Sequence, residues 1–183
     1  MIRSSSLRAI PALPLIAGIC GVAVITASAQ VQLPMVPVPM TLQTLAVLLI
    51  GALAGARIGA ASAAAYMGLG IAGLPVFAGW KAAPGALFLS LPTGGYIVGF
   101  VLGAALAGWI VARYGRSLLS LIAAFTLGHA VIFAAGVSWL AAFTGWHGAI
   151  ALGLLPFLLG TVVKIGLGSV FALAVGPRLH QAA

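Results

Sequence analysis

Lys164 lies in LLPFLLGTVVKIGLGS (154–169), a run otherwise built from apolar residues, glycine and hydroxyls. The chemistry open to a cation in such a run is the binding of an anion. Its usual protein partner is missing, because the chain contains no Asp and no Glu. Centring a lysine in a bilayer costs about 2.5–3.5 kcal/mol on insertion scales. Counted from Pro156, Lys164 falls about 12 Å along a helix. Two readings follow: its stem snorkels to the headgroups, or it faces a cavity and meets an anion brought from outside. Thr161, three residues earlier, shares its face and adds a hydroxyl. A small carboxylate with further hydrogen-bonding groups would suit a pocket of Thr, Gln, Tyr, Trp and backbone groups.

Three stretches supply such groups. QLPMVPVPMTLQT (32–44) alternates prolines that favour extended backbone and then presents Thr41 and Gln43 at the mouth of a helix. GLPVFAGWKAAPG (73–85) forms a loop with Phe77, Trp80 and Lys81. LPTGGYIVGF (91–100) places Thr93 as a helix cap and Gly94-Gly95 where backbone can approach closely, followed by Tyr96. Tyr66 and Tyr96 either line a cavity or are simply buried.

The absence of acids excludes carboxylate proton relays, Mg²⁺ sites built on protein carboxylates, and glycosidase or triad chemistry. With no GxxxxGK[ST] loop, any ATP-driven step must be performed by another polypeptide. His129, His147 and His180 lack ligand spacing, so no metal site is expected; His129, within a helix, reads as a packed, hydrogen-bonded residue. Cys20 is the lone cysteine and reads as helix packing. An intramembrane enzyme is therefore disfavoured, and neither enzyme activity nor a cofactor is expected.

The elements that must position these groups are helices in lipid. The chain is 63% hydrophobic and 4% charged, where a soluble domain carries about 25% charged residues. Its net charge of +8 comes from Arg3, Arg8, Arg57, Lys81, Arg113, Arg116, Lys164 and Arg178, spread singly between apolar segments, which argues against nucleic acid. A spanning helix needs about 20 apolar residues. Hydropathy predicts an all-α integral membrane protein of one domain over 1–183, with six transmembrane helices at roughly 10–30, 40–56, 58–74, 92–112, 117–141 and 156–176. Pro92 and Pro156 sit where the fourth and sixth begin. Arg3, Arg8, Arg57, Arg113, Arg116 and Arg178 then share one side, so the positive-inside rule puts both termini in the cytoplasm, with Lys81 in an opposite loop. Trp80, Trp139 and Trp146 are expected near the outer boundary and Trp109 near the inner one.

Met1–Ala29 has the basic start, apolar centre and A-S-A ending of a secretory signal. Its apolar stretch exceeds the usual core of about 7–15 residues and holds Pro11 and Pro14, so the first helix is expected to be retained. Small residues recur at four-residue spacing: Ala23 and Ala27, Gly51 and Gly55, Gly99 and Gly103. Such faces pack helices within a bundle or, on the first helix, dock a partner protein.

VPVPMTLQTLAVLLIGALAGARIGA, YMGLGIAGLPVFAGW and LPTGGYIVGF, in this order and spacing, resemble the successive motifs of the BioY family. Those proteins are the biotin-binding S components of energy-coupling-factor (ECF) vitamin transporters. The resemblance runs from about Ala29 to Lys164. It implies an S-component fold with an outward biotin pocket in the cell membrane. It also implies a partner module of one transmembrane coupling protein and two ATPases, which some family members work without, and it leaves room for a homo-oligomer. By position it carries substrate contact to Thr41, Gln43 and Thr44, to Phe77, Gly79 and Trp80, and to Thr93, Gly94, Gly95 and Tyr96. The family's last motif resembles PF-x-x-G-D-x-x-K; here PFLLGTVVK keeps Lys164 but has Thr161 in place of the acid. An aspartate would accept ureido N–H groups more strongly than a hydroxyl. This departure admits another vitamin-like carboxylate as cargo, and a ligand-free structural membrane subunit is the further alternative. Ala23 and Ala27 match the small-residue surface with which the family's first helix meets the coupling protein.

Overall fold

The computed structural model describes residues 12–181, with side chains over 14–176. Its helices are α1 (Ala12–Gln30), α2 (Gln43–Ala54), α3 (Ala56–Ile71), α4 (Gly94–Tyr114), α5 (Leu118–Gly153) and α6 (Leu158–Gln181). Short 3-10 turns cover Gly85–Ser90 and Leu155–Phe157. The proline-rich link is not purely extended: it folds into a two-stranded antiparallel hairpin, β1 (Gln32–Leu33) with β2 (Met40–Thr41). Arg3, Arg8 and Pro11 lie outside the described residues.

The outer surface of this bundle is apolar where that of a soluble protein is polar, and a few polar side chains lie within an otherwise apolar core. Gln43, Ser62, Ser120, His129, Thr161, Lys164 and Ser169 are buried, whereas Leu159 is 79% exposed and Val162, Leu167 and Val170 on the same helix are also exposed. Buried polar groups with apolar faces turned out are what a lipid solvent selects. Gly94–Tyr114 and the stretch Leu118–Gly176 are long and apolar enough to cross a membrane; Pro14–Gln30 and Gln43–Ala54 are shorter apolar helices. At 12 residues α2 reaches about 18 Å, short of the roughly 30 Å of a hydrocarbon core.

Close approach explains how short helices are accommodated. α2 and α3 are joined by the single residue Gly55, at φ 92. Across that joint a Cβ on Gly59 would lie 2.7 Å from the Gly51 Cα, and one on Gly51 would strike the Ala104 carbonyl of α4. Gly99 and Gly103 meet Ile132 of α5 in the same way. Small residues here let backbones touch. Ala23 and Ala27 differ, since both are exposed on α1 while Gly21, Ile25 and Ala29 turn inward.

Side-chain bonds define two ends. At one, Arg116 donates to the Ala52 carbonyl at 3.2 Å and packs on Gly176, joining the close of α2, the start of α5 and the end of α6. Arg57 opens α3 and Arg113 lies in the last turn of α4, also at this end. At the other, the Gln30 side chain closes α1 against the 77–81 loop, donating to the Phe77 carbonyl at 3.3 Å and accepting from the Trp80 N–H at 3.1 Å.

Three local expectations need correction. Helix α5 continues to Gly153, broken at Gly145 (φ 69, ψ 166), so Trp146 and His147 are helical and not in a loop. The Thr144 hydroxyl bonds back to the Leu140 carbonyl at 3.2 Å, sustaining the turn up to the break. Thr93 holds the N-cap position of α4 without a side-chain cap bond. Trp139, half-buried near the cavity end, turns its indole inward to donate to the Leu91 carbonyl at 3.0 Å and does not face outward as interfacial aromatics do.

Candidate functional site

Opposite the Arg116 end, a cavity of ≈ 140 Å³ opens between the hairpin, the 77–81 loop and the helices α2, α3, α4, α5 and α6. Lys164 is 8% exposed and lines it. Its ammonium donates to the Thr41 carbonyl at 2.6 Å and to the Thr44 hydroxyl at 3.1 Å. The stem does not snorkel. An ammonium has three donors, and two of them meet uncharged acceptors. The charge has no counter-ion in the chain, because the sequence holds no acid.

Thr41 leads a short relay at the start of α2. Its hydroxyl donates to Gln43 Oε1 at 3.2 Å and accepts the Gln43 N–H at 3.2 Å, and Gln43 Nε2 donates to the Tyr66 hydroxyl at 2.7 Å. The Tyr66 oxygen accepts there, so its own O–H is left as a donor on the cavity wall. Tyr96 is used the other way: its hydroxyl donates to the Gly153 carbonyl at 2.7 Å, and its ring packs on Gly136. It offers the cavity a face and no free hydrogen.

Two aromatic walls complete the site. Tyr66 meets Phe77 edge-on at 5.4 Å between centroids. Opposite, Tyr96 meets Phe133 edge-on at 6.4 Å between centroids, and Phe133 meets Phe157 at a tilt at 6.2 Å. Between them the cavity presents flat apolar surface with polar groups concentrated near Lys164, the pattern of a small-molecule site.

Of the residues expected at the site, Thr41, Gln43, Thr44, Phe77, Thr93, Tyr96, Thr161 and Lys164 line the cavity. Gly79, Trp80, Gly94 and Gly95 do not. Gly79 (φ 71) and Trp80 (φ 56) form the tight turn that pairs Phe77 with Lys81, and the Trp80 side chain is 64% exposed. Gly94 and Gly95 pack on Trp139, where added Cβ atoms would meet its ring and Cβ. Their smallness serves the α4–α5 seam. Sequence reasoning left Tyr66 open, assigned Lys81 only to a loop and missed Phe133 and Phe157; all four line the cavity. The hydroxyl-amide spacing Thr41–Gln43 was the legible signal for a relay, but nothing in the sequence pointed it at Tyr66. Among the described residues no cluster of metal ligands occurs.

Comparison with known proteins gives a consistent result. The model of the BioY family matches residues 3–181. A "Probable biotin transporter BioY" of Pyrococcus horikoshii is 37% identical over 153 residues, 82% of this chain and 88% of that one. A "Biotin transporter BioY" of Thermotoga maritima is also 37% identical, over 152 residues with the same coverage. "Biotin transporter BioY2" of Lactococcus lactis is 33% identical over 157 residues, 85% of each chain. In fold, the chain is similar to a crystal structure described as the S-component for biotin from an ECF-type ABC transporter. The TM-score is 0.77, at 24% identity, over 93% of this chain and 92% of that one.

Proposed function

This chain belongs to the BioY family, and on that premise we propose that it is a membrane protein that captures biotin and mediates its uptake. The observation that carries the reading is Lys164, a buried cation on a cavity wall in a chain without an acid. Biotin is a monocarboxylate whose fused ring bears two ureido N–H groups and a urea carbonyl. Its carboxylate supplies the missing counter-charge, its ring fits between the aromatic walls, and the Tyr66 O–H serves an acceptor. The protein acts by binding and translocation, with no catalysis.

All six helices cross the cell membrane as one domain, with both termini cytoplasmic and the cavity end outward. The grouping of Arg57, Arg113 and Arg116 at the opposite end supports that orientation. Energy comes from a separate module of one transmembrane coupling protein and two ATPases. Ala23 and Ala27, exposed on α1, form the surface that meets the coupling protein. Eight substrate contacts predicted at the cavity (Lys164, Thr161, Thr41, Gln43, Thr44, Phe77, Thr93 and Tyr96) are retained here, joined by Tyr66.

Equilibrium binding of labelled biotin to the purified chain in nanodiscs tests the reading. Saturable binding, displaced by biotin and poorly by lipoate, is expected. No saturable binding at micromolar ligand overturns it, and equal displacement by lipoate transfers the site to another carboxylate.

Lys81 has a separate part. It is exposed, and it lines the cavity beside Phe77 and Ala78, where a cation draws an anionic ligand inward. Lys81→Gln should slow association by about two- to fivefold at low salt with dissociation unchanged, and the difference should vanish near 1 M salt. Stopped-flow binding at two ionic strengths measures it; a salt-independent loss would place Lys81 in direct contact with the ligand.

A further inference from the structure

The turn from Phe77 to Lys81 builds part of the cavity wall and contains a strained residue. Phe77 and Lys81 both line the cavity and exchange backbone bonds. The Phe77 N–H donates to the Lys81 carbonyl at 2.9 Å, and the Lys81 N–H to the Phe77 carbonyl at 3.3 Å. Between them Gly79 and Trp80 both take positive φ, 71 and 56. Glycine adopts that region freely; a tryptophan is disfavoured there, because its Cβ crowds the backbone. Packing offsets little of this strain, since the Trp80 side chain points into the surroundings at 64% exposure.

The hydrogen bonds identify what holds Trp80 in place. Gln30, half-buried at the last position of α1, accepts the Trp80 N–H on Oε1 at 3.1 Å. Its Nε2 donates to the Phe77 carbonyl at 3.3 Å and to the Thr26 carbonyl, one turn back on α1, at 3.2 Å. A carboxamide has two hydrogens and one oxygen, and all are engaged. The Thr26 bond fixes the amide on its own helix, and the other two bind that helix to both sides of the turn. Among the described residues no other side chain hydrogen-bonds to 77–81, and no residue of α1 lines the cavity. Phe77 has an anchor of its own, with its ring packed on Gly70 of α3 and against Tyr66 and Phe88. The brace therefore matters most at Trp80, where the chain is handed on to Lys81.

We propose that Gln30 is a positioning residue for the ligand, acting from outside the cavity. It holds Trp80 in the left-handed conformation that keeps Lys81 paired with Phe77, and so keeps this part of the wall against the bound molecule. Gln30 touches no ligand and carries no charge, so its contribution lies in dissociation and is indifferent to salt. That is the reverse of the behaviour expected of Lys81. The inference rests on the biotin reading of the cavity.

The test uses the full chain in nanodiscs as wild type, Gln30→Met, Trp80→Asn and the double variant. Methionine keeps the length of glutamine and removes its three hydrogen bonds; asparagine tolerates positive φ better than other residues with a side chain. Gln30→Met should speed biotin dissociation by about five- to tenfold at low and high salt alike. Hydrogen exchange of the 77–81 amides should quicken by a similar factor. Trp80→Asn relieves the strain that the brace opposes, so the double variant should regain at least half of the lost residence time. Unchanged dissociation overturns the proposal, as does faster dissociation without faster exchange at 77–81. A loss that Trp80→Asn fails to restore marks a general loosening of α1 and overturns it too. Trp80→Asn alone should slow exchange of the same amides, and it gives the answer if Gln30→Met does not fold: exchange unchanged or faster removes the strain on which the proposal stands. Wild-type protein that fails to bind biotin sinks the underlying reading instead, while exchange in the ligand-free chain still decides whether Gln30 braces the turn.

Discussion

Lys164→Met should weaken biotin binding by about 150-fold, the equivalent of roughly 3 kcal/mol. Methionine keeps the length and apolar stem of lysine and removes the charge, and folding should change little, because the acceptors left at Thr41 and Thr44 offset the relief of a buried charge. The loss has two parts: the ligand carboxylate is left without its cation, and the Thr41 carbonyl and Thr44 hydroxyl lose the donor they share at 2.6 and 3.1 Å. Biotin amide separates them. On the wild-type chain the amide should bind far more weakly than the acid. On Lys164→Met the acid and the amide should bind alike, since no cation remains to tell them apart. Titration calorimetry of the four combinations gives the coupling directly. If the variant still prefers the acid by tenfold or more, the carboxylate is held elsewhere, with the exposed Lys81 at the mouth the next cation to test.

Lys164 was legible in the sequence because its environment is so poor in alternatives. With no acid anywhere and apolar residues around it, a single cation stands out, and Thr161 follows from helical spacing alone. The apolar helices were legible as elements but not as faces. Phe125 is fully buried and Phe143 is 45% exposed on the same helix, and both sit among residues of like hydropathy, so periodicity could not tell lipid from core. For that reason Phe133 and Phe157 went unassigned, although they make one wall of the cavity. Glycine is ambiguous for another reason. Its small size marks a close approach without naming what approaches, and Gly94-Gly95 read as backbone opened to a ligand. The neighbour is Trp139, some 45 residues away in sequence, a tertiary relation that no local pattern encodes. At Gly145, φ 69, TGWHG (144–148) interrupts the apolar run and the fifth helix is read as ending near 141, but nothing local says that the chain resumes as helix to Gly153.

That ambiguity at Gly95 yields the other large expected effect. A Cβ at this position would overlap the Trp139 Cβ and lie 2.6 Å from the Ala135 carbonyl, so a side-chain rotation cannot relieve it; one of the two helices must move. Trp139 is itself anchored through its indole to the Leu91 carbonyl, which limits the retreat of α5. Gly95→Val should therefore destabilise the fold by about 3 kcal/mol or more, seen as a fall of several degrees in the melting temperature of the detergent-solubilised protein. Ligand affinity should drop with it, since displacing α4 from α5 parts Tyr96 from Phe133 in the aromatic wall. Trp139→Ala in the Gly95→Val background removes the ring but leaves the overlap with the Cβ of residue 139 and with the Ala135 carbonyl, so it should restore little of the melting temperature. A direct ligand contact at Gly95 makes the opposite forecast: unchanged melting of the ligand-free protein with lost binding. Melting curves with and without biotin for the wild-type and Gly95→Val proteins decide between a glycine kept for the neighbouring helix and one kept for the ligand.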